Sequence, residues 1–294
     1  MNRVSIFWDP TGQELDTIGN NKYERSTDGD TPYISMAIRM LSIDAPETHY
    51  PGTTKPSKQD MKFLQLAEWI NQGKAPVTSQ LAVYLYPKLK TGKAGTLQEE
   101  QGRSASDYFR KLIEEKLRLK NGKFRSVFVR SSNEHFDSYG RLLAYIAPKF
   151  TSTELANMTR ADRATFNLMM IEKGWASPFP IYPSLPQYED LVLLRDSGKK
   201  AVDTKIGIWK DKNTLTGYEF RMCVKLFEVT QKLVEGKKLS TKERNSWIER
   251  YCVDMKTRQI FYPKNYTNVK VYDRIFIWPK DVRDAVGKMN LIPG

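Results

Sequence analysis

The stretch STDGDTPYISMAIRMLSIDAPET, residues 26–48, decides how this chain folds and what it can do. It sets four acids, Asp28, Asp30, Asp44 and Glu47, around Arg39 on an otherwise apolar run. Asp28-Gly29 is hairpin-turn chemistry, because glycine and aspartate tolerate the backbone angles that a tight reversal needs. NKYER before it and YISMAIRMLSI after it therefore read as antiparallel strands folded about residues 28–30. Arg39 lies inside the second strand, and a charge there is costly without an anion beside it. Arg39 and Asp44 have opposite strand parity. Both reach one site only if the chain bends or leaves the sheet after Ile43.

A second segment has the same character. In DSYGRLLAY, residues 137–145, a glycine turn launches Arg141 onto another apolar strand. Two arginines with nearby carboxylates suit hydrolysis of a phosphodiester, whose transition state gathers negative charge on phosphoryl oxygens that guanidinium forks match. Carboxylates with a backbone carbonyl make an oxygen-only site for a hard cation such as calcium. One further carboxylate can act as general base on water. For each arginine, a structural ion pair with Asp44 or Glu47 is the alternative use.

Composition agrees with a polyanionic partner. The 294-residue chain has 47 Lys and Arg against 34 Asp and Glu, a formal charge of +13, which favours nucleic acid or an acidic surface. Cys223 and Cys252 are far apart and lack metal-type spacing, so no disulfide framework is expected. Apolar runs are too short to span a bilayer, and the first residues lack a secretion signal, so an intracellular protein is expected unless a signal was trimmed. His49 and His135 flank the two motifs without ligand spacing and read as solvated loop residues.

Further along, SKQDMKFLQLAEWINQG reads as a helix with Ser57 as N-cap and Gly73 closing it, and SQLAVYLYP as a strand ending at Pro87. KLKTGKAGT is expected as a loop, and residues from about 98 to 122 as a strong amphipathic helix. KFRSVFVR and RLLAYIA read as strands, residues 152–173 and 185–205 as helical, and the proline-rich ASPFPIYPSLP between them as neither regular helix nor central strand. A boundary is expected near residue 213. Beyond it, residues 217–236 and 240–252 look helical, the latter opened by the capping pair Ser240 and Glu243, and NVKVYDRIFIW reads as a strand. The aromatics Tyr266, Tyr272, Phe276 and Trp278, interleaved with Lys264, Lys270, Arg274 and Lys280, read mainly as core of this second part rather than as a base-stacking surface.

The paired segments IRMLSIDAPETHYP and DSYGRLLAY resemble the staphylococcal nuclease (thermonuclease) family, and EKGWAS, PFPIYP and GKKAVDTKIGIW follow in the family's order. The resemblance covers residues 1 to about 210, with residues 52–97 as an insertion and 213–294 as an extension. It implies an α+β fold: a five-stranded OB-like β-barrel with packed helices, followed by a small mixed α/β appendage. It implies calcium-dependent cleavage of DNA, with RNA as a further substrate, leaving 3′-phosphate ends. Carried over by position, Arg39 and Arg141 bind the scissile phosphate and Glu47 orients or deprotonates water. Asp44 and the main-chain oxygen of Ala45 hold the calcium, and Tyr139 and Tyr182 line the nucleotide pocket. Ser138 stands where the family has a lysine, and Pro180 where it has a pocket tyrosine.

The family's other metal aspartate lies in Asp-Gly-Asp-Thr, which DGDT at 28–31 matches by letter. Pairing Asp30 with Ser42 would centre the hairpin on residue 36, in an apolar run without glycine, whereas pairing Asp16 with Ser42 centres it on Gly29. Asp16 is therefore the expected second metal ligand, with Asp30 as the alternative. The competing class of function is a noncatalytic nucleic-acid or protein-binding module; Arg39, Glu47 and Arg141 together speak against it. A protein partner for the extension is a further expectation.

Overall fold

The computed structural model describes residues 22–294. Asp16 lies outside the described residues. Strands β1 (Lys22–Ser26) and β2 (Pro32–Ser35) form a hairpin in the register Tyr23↔Ile34 and Ser26↔Pro32, so the reversal falls on residues 27–31. Asp28-Gly29-Asp30 is thus the turn that the sequence indicates, and Asp30 is exposed there, accepting a hydrogen bond from the Thr31 hydroxyl (3.1 Å).

After β3 (Ile38–Met40) the chain bends at Leu41–Ser42, before Ile43, and resumes as β4 (Ile43–Asp44). Ser42 takes the left-handed conformation (φ 59°), which a non-glycine residue adopts at some strain. Two buried groups hold the bend. The Ser42 hydroxyl is 2.6 Å from that of Tyr145. The fully buried Asn167 amide donates to Leu41 O (2.9 Å) and accepts from Ile146 N (3.1 Å). The bend resolves the parity conflict: Arg39 and Asp44 come to one site because they belong to different short strands.

The next two elements are α1 (Asp60–Asn71) and α2 (Ser79–Leu89). Phe63, Leu66, Ala67 and Ile70 make one buried stripe on α1, and Gly73 (φ 68°) closes it as expected. Ser57 does not cap α1; it sits in a preceding 3₁₀ turn, its N–H donating to Glu99 (3.3 Å). The expected strand SQLAVYLYP is helix α2, capped by Thr78, with Leu81, Leu85 and Leu89 buried at i, i+4 and i+8. Pro87 lies inside α2 and removes the donor for the carbonyl of Val83, a residue that is 76% exposed.

Helix α3 (Ala94–Leu117) starts within the expected loop; the Asp60 carboxylate accepts from Gly95 N (2.6 Å) and Thr96 N (3.0 Å), capping its first turn from α1. Strands β5 (Val127–Phe136) and β6 (Leu142–Pro148) pair antiparallel, and β3 joins β6 in parallel, placing Arg39 opposite Leu143. The stretch expected as helix over 152–173 is interrupted. It consists of α4 (Ser152–Ala156), a 3₁₀ turn and α5 (Phe166–Glu172). The proline-rich segment yields only two-residue strands, β7 (Ser177–Pro178) against β4 and β8 (Ile181–Tyr182). Helix α6 (Tyr188–Asp203) follows, then a 3₁₀ turn at Gly207–Lys210. Gly174 and Gly207, both at positive φ, cross so closely that a Cβ on Gly207 would lie 2.2 Å from Gly174 O. That crossing brings EKGWAS and KIGIW together.

The remaining chain forms α7 (Gly217–Val234), α8 (Thr241–Asn245), β9 (Tyr251–Asp254), β10 (Gln259–Phe261), β11 (Arg274–Ile277), α9 (Val282–Met289) and β12 (Ile292–Pro293). Its sheet has the order β12-β10-β9-β11-β8, with β8 joined parallel to β11. The fold is mixed α+β.

Two of the three apolar clusters among the described residues frame the site. One gathers Ile43, Ala105, Leu112, Ile146, Phe166 and Leu194 from β4, α3, β6, α5 and α6. The other unites α1 and α2 with α7 and the late sheet through Phe63, Leu81, Leu85, Phe220, Leu226 and Tyr266. Tyr266 and Phe276 are core, as the sequence indicates. No helix among the described residues is long and apolar enough to cross a membrane.

Candidate active site

Asp44 is the centre of the site, 1% exposed on β4. Its Oδ1 accepts from Arg39 Nη2 (3.2 Å) and from Arg221 Nη2 (3.0 Å), and its Oδ2 accepts from the backbone N–H of Tyr218 (2.5 Å). Arg221 also donates through Nη1 to Glu47 Oε1, so one guanidinium spans both carboxylates. Burial lowers the Arg39 pKa, with Asp44 opposing the shift, while the two carboxylates raise that of Arg221 against burial. Burial pushes the Glu47 carboxyl up from its usual range, and Arg221 pulls it partly back.

Helix α3 positions the loop that carries Glu47. Gly102 lies against it so tightly that a Cβ would be 2.6 Å from Glu47 O. The Gln98 amide, with its oxygen toward Glu47 N (2.7 Å) and its nitrogen toward Leu215 O (3.0 Å), ties that loop to the start of α7. Gln101 adds a bond to Thr214 Oγ1 (2.7 Å). Thr216 then caps α7 in a reciprocal capping box with Glu219, leaving the Tyr218 N–H of the first turn to donate to Asp44.

Arg141 stands beside this cluster, close enough for its charge to bear on Arg39. Its own partner is Asp137, which accepts from Arg141 Nε (2.7 Å) and Nη2 (2.6 Å). Burial would raise the Asp137 pKa, but these bonds hold it below the ordinary aspartate range. Tyr139 is 81% exposed, with the Arg141 guanidinium 5.3 Å from its ring centre. Tyr182 sits elsewhere: it is buried in the core under the late sheet, and its hydroxyl donates to Asp284 of α9. His49 and His135 are exposed.

The structure thus gathers Arg39, Asp44, Ala45 and Glu47 with Arg141 at the rim, and it holds Tyr182 apart. Sequence reasoning missed Arg221, and with it Gly217 and Tyr218. Within GYEFRMCVKLF, Arg221 is one cation on an amphipathic helix, and only the capping pair Thr216–Glu219 marks where that helix begins.

The sequence profile of the family described as staphylococcal nuclease homologue matches residues 37–211, more than half of the chain. The chain belongs to that family. It is also similar to a protein named Endonuclease YhcR from Bacillus subtilis (strain 168), at 20% identity over 274 residues. The match covers 90% of this chain and 16% of that relative's length. The matched family region takes in Arg39, Asp44, Ala45, Glu47, Tyr139, Arg141 and Tyr182, whereas Arg221 lies beyond its end.

Calcium is the cation that the family resemblance implies. Calcium takes six to eight oxygen ligands. Here both Asp44 oxygens are engaged by guanidinium or backbone N–H, Glu47 holds Arg221, and a Cβ on Gly217 would lie 2.5 Å from Ala45 O. In this arrangement the described residues do not fit a calcium ion. Nor do three or more His, Cys, Asp or Glu side chains gather at a metal-type cluster among the described residues.

Proposed function

We propose that the protein is an endonuclease that hydrolyses phosphodiester bonds in DNA, with RNA as a further substrate, and leaves 3′-phosphate ends. One observation supports the reading: in a member of this family, Arg39 pairs with the buried Asp44 in a cluster that also holds Glu47, and the charge of Arg141 bears on that cluster. Arg39 and Arg141 would each fork onto non-bridging phosphoryl oxygens as negative charge grows there. Glu47, raised by burial and engaged by Arg221 through one oxygen, would take the water proton on the other. Tyr139, exposed beside Arg141, would meet the substrate at the rim. Tyr182 would act only at a distance, through the segment that carries it. In the same reading, residues 1–212 carry the family's five-stranded OB-like barrel, a calcium requirement would involve Asp44, Ala45 and Asp16 only in an arrangement other than the one described, and the part after residue 213 is an extension that shares a core with α1 and α2.

The similarity to Endonuclease YhcR supports the general activity, and the basic charge of +13 supports a polyanionic substrate. Incubation of the full-length protein with supercoiled plasmid, with calcium and with chelator, tests the proposal; end-labelling identifies the phosphate-bearing terminus. Nicking that disappears in Arg39→Lys and Arg141→Lys is expected. Binding of plasmid without cleavage under every condition would defeat the enzyme reading in favour of a noncatalytic module.

A further inference from the structure

The positions at which the family resemblance places a cation are taken by positive groups of this chain's own. Arg221 reaches Asp44 Oδ1 at 3.0 Å and Glu47 Oε1 at once, and the Tyr218 N–H reaches Asp44 Oδ2 at 2.5 Å. Gly217 presses on the Ala45 carbonyl so closely that no side chain fits between them. These contacts come from one helical turn, and those to Asp44 and Ala45 address the atoms assigned to the metal, while Arg221 also holds Glu47 beside them. The fit is not incidental to α7. Its capping box, the Lys88 bond to Thr214 O (2.6 Å) and the Gln101 bond to Thr214 Oγ1 fix where the turn lands.

We propose that Arg221 and the first turn of α7 are a built-in plug of the cation site, so that docked α7 and a bound calcium ion exclude one another at Asp44 and Ala45. A guanidinium and a helix N-terminus supply positive charge to a buried carboxylate as a cation would. Two such occupants cannot share the same oxygens. Calcium then binds only the fraction of molecules whose α7 turn has lifted, and its apparent affinity falls by that fraction. The extension beyond the family region becomes a regulator of the site rather than a neighbour of it.

The inference rests on the nuclease reading only for the choice of Asp44 and Ala45 as the cation's place, and it is tested without substrate. Calcium chloride is titrated calorimetrically into the full-length protein, into Arg221→Gln and into Gly217→Ala. The first variant removes the competing charge. The second leaves every charge in place and drives the turn away, because its Cβ would meet Ala45 O at 2.5 Å and Asp44 Oδ2 at 2.8 Å. Both variants are expected to bind calcium at least about tenfold more tightly than the wild type. Hydrogen exchange supplies a readout on the unaltered chain: saturating calcium should speed exchange across residues 214–222. Calcium binding that leaves the wild-type exchange pattern unchanged would overturn the proposal, as would variants that bind no more tightly than the wild type. If Gly217→Ala does not fold, Arg221→Gln and the exchange experiment decide. Cleavage with equal calcium affinities would remove the plug and leave the nuclease, whereas shifted affinities without cleavage would do the reverse.

Discussion

Glu219 offers the sharpest test of how the site is held. It is fully buried, accepting from the Tyr84 hydroxyl (2.8 Å) and Arg274 Nη1 (3.2 Å) through Oε1 and from Thr216 N (3.0 Å) through Oε2. Lys88 lies 4.0 Å away, and the side chains of Arg274 and Lys88 are only 5% and 12% exposed. Glu219→Gln keeps the volume and removes the charge, leaving two buried cations to share none. Removing one partner of a buried pair costs about 3–5 kcal/mol. At roughly 2–4 °C per kcal/mol for a protein near this size, the midpoint should fall by about 10 °C. Urea unfolding followed by tryptophan fluorescence reads this directly, because Trp247 lies in the same core. Lys88→Met should cost less on the Glu219→Gln background than on the wild type, with a coupling of about 1–3 kcal/mol. A loss below about 1 kcal/mol for Glu219→Gln, with no coupling, would refute the reasoning.

Other outcomes follow from the same contacts. Burial would raise the Glu219 pKa, but Lys88, Arg274 and the Thr216 N–H outweigh it and hold it below the usual range. Its stabilisation is therefore complete above the ordinary glutamate value and lost as pH falls below about 4, a slope that Glu219→Gln should lack in midpoint-versus-pH curves. Asn167→Leu strands Leu41 O and Ile146 N and should cost about 2–3 kcal/mol by the same denaturation assay, loosening the bend at Ser42. Gly207→Ala meets Gly174 O at 2.2 Å in a left-handed backbone, and a loss of about 1–3 kcal/mol or more is expected by calorimetry. In plasmid nicking, Arg39→Lys should lower the rate about 10²–10³-fold, since a lysine cannot keep the fork that Arg39 presents.

The parts of this fold that were legible in sequence were those fixed locally. Asp28-Gly29-Asp30 marks a reversal by backbone chemistry alone, and the opposite parity of Arg39 and Asp44 demands a bend, which the structure makes at Leu41–Ser42 rather than after Ile43. Helix α2 was misread because Val83, Tyr84 and Tyr86 with Pro87 favour a strand, whereas Leu81, Leu85 and Leu89 already carried a helical spacing. The stretch over 152–173 is polar enough in its middle that tertiary packing, not propensity, divides it. Arg221 was invisible for a deeper reason: its partners are more than 170 positions away, and no local pattern separates it from a solvated helix cation.

The union of α1 and α2 with α7 in one core has a consequence during synthesis. The apolar stripes Phe63–Leu66–Ile70 and Leu81–Leu85–Leu89 leave the ribosome well before Phe220 and Leu226, which cover them. About 150 residues separate the end of α1 from the start of α7, which at about 5–20 residues per second is on the order of 10–30 s of exposure. Through that interval the nascent chain carries an uncovered apolar face, and a chaperone that binds such faces would hold it until α7 arrives. Synonymous changes that slow elongation between residues 90 and 215 should therefore lower the soluble yield without altering the finished protein.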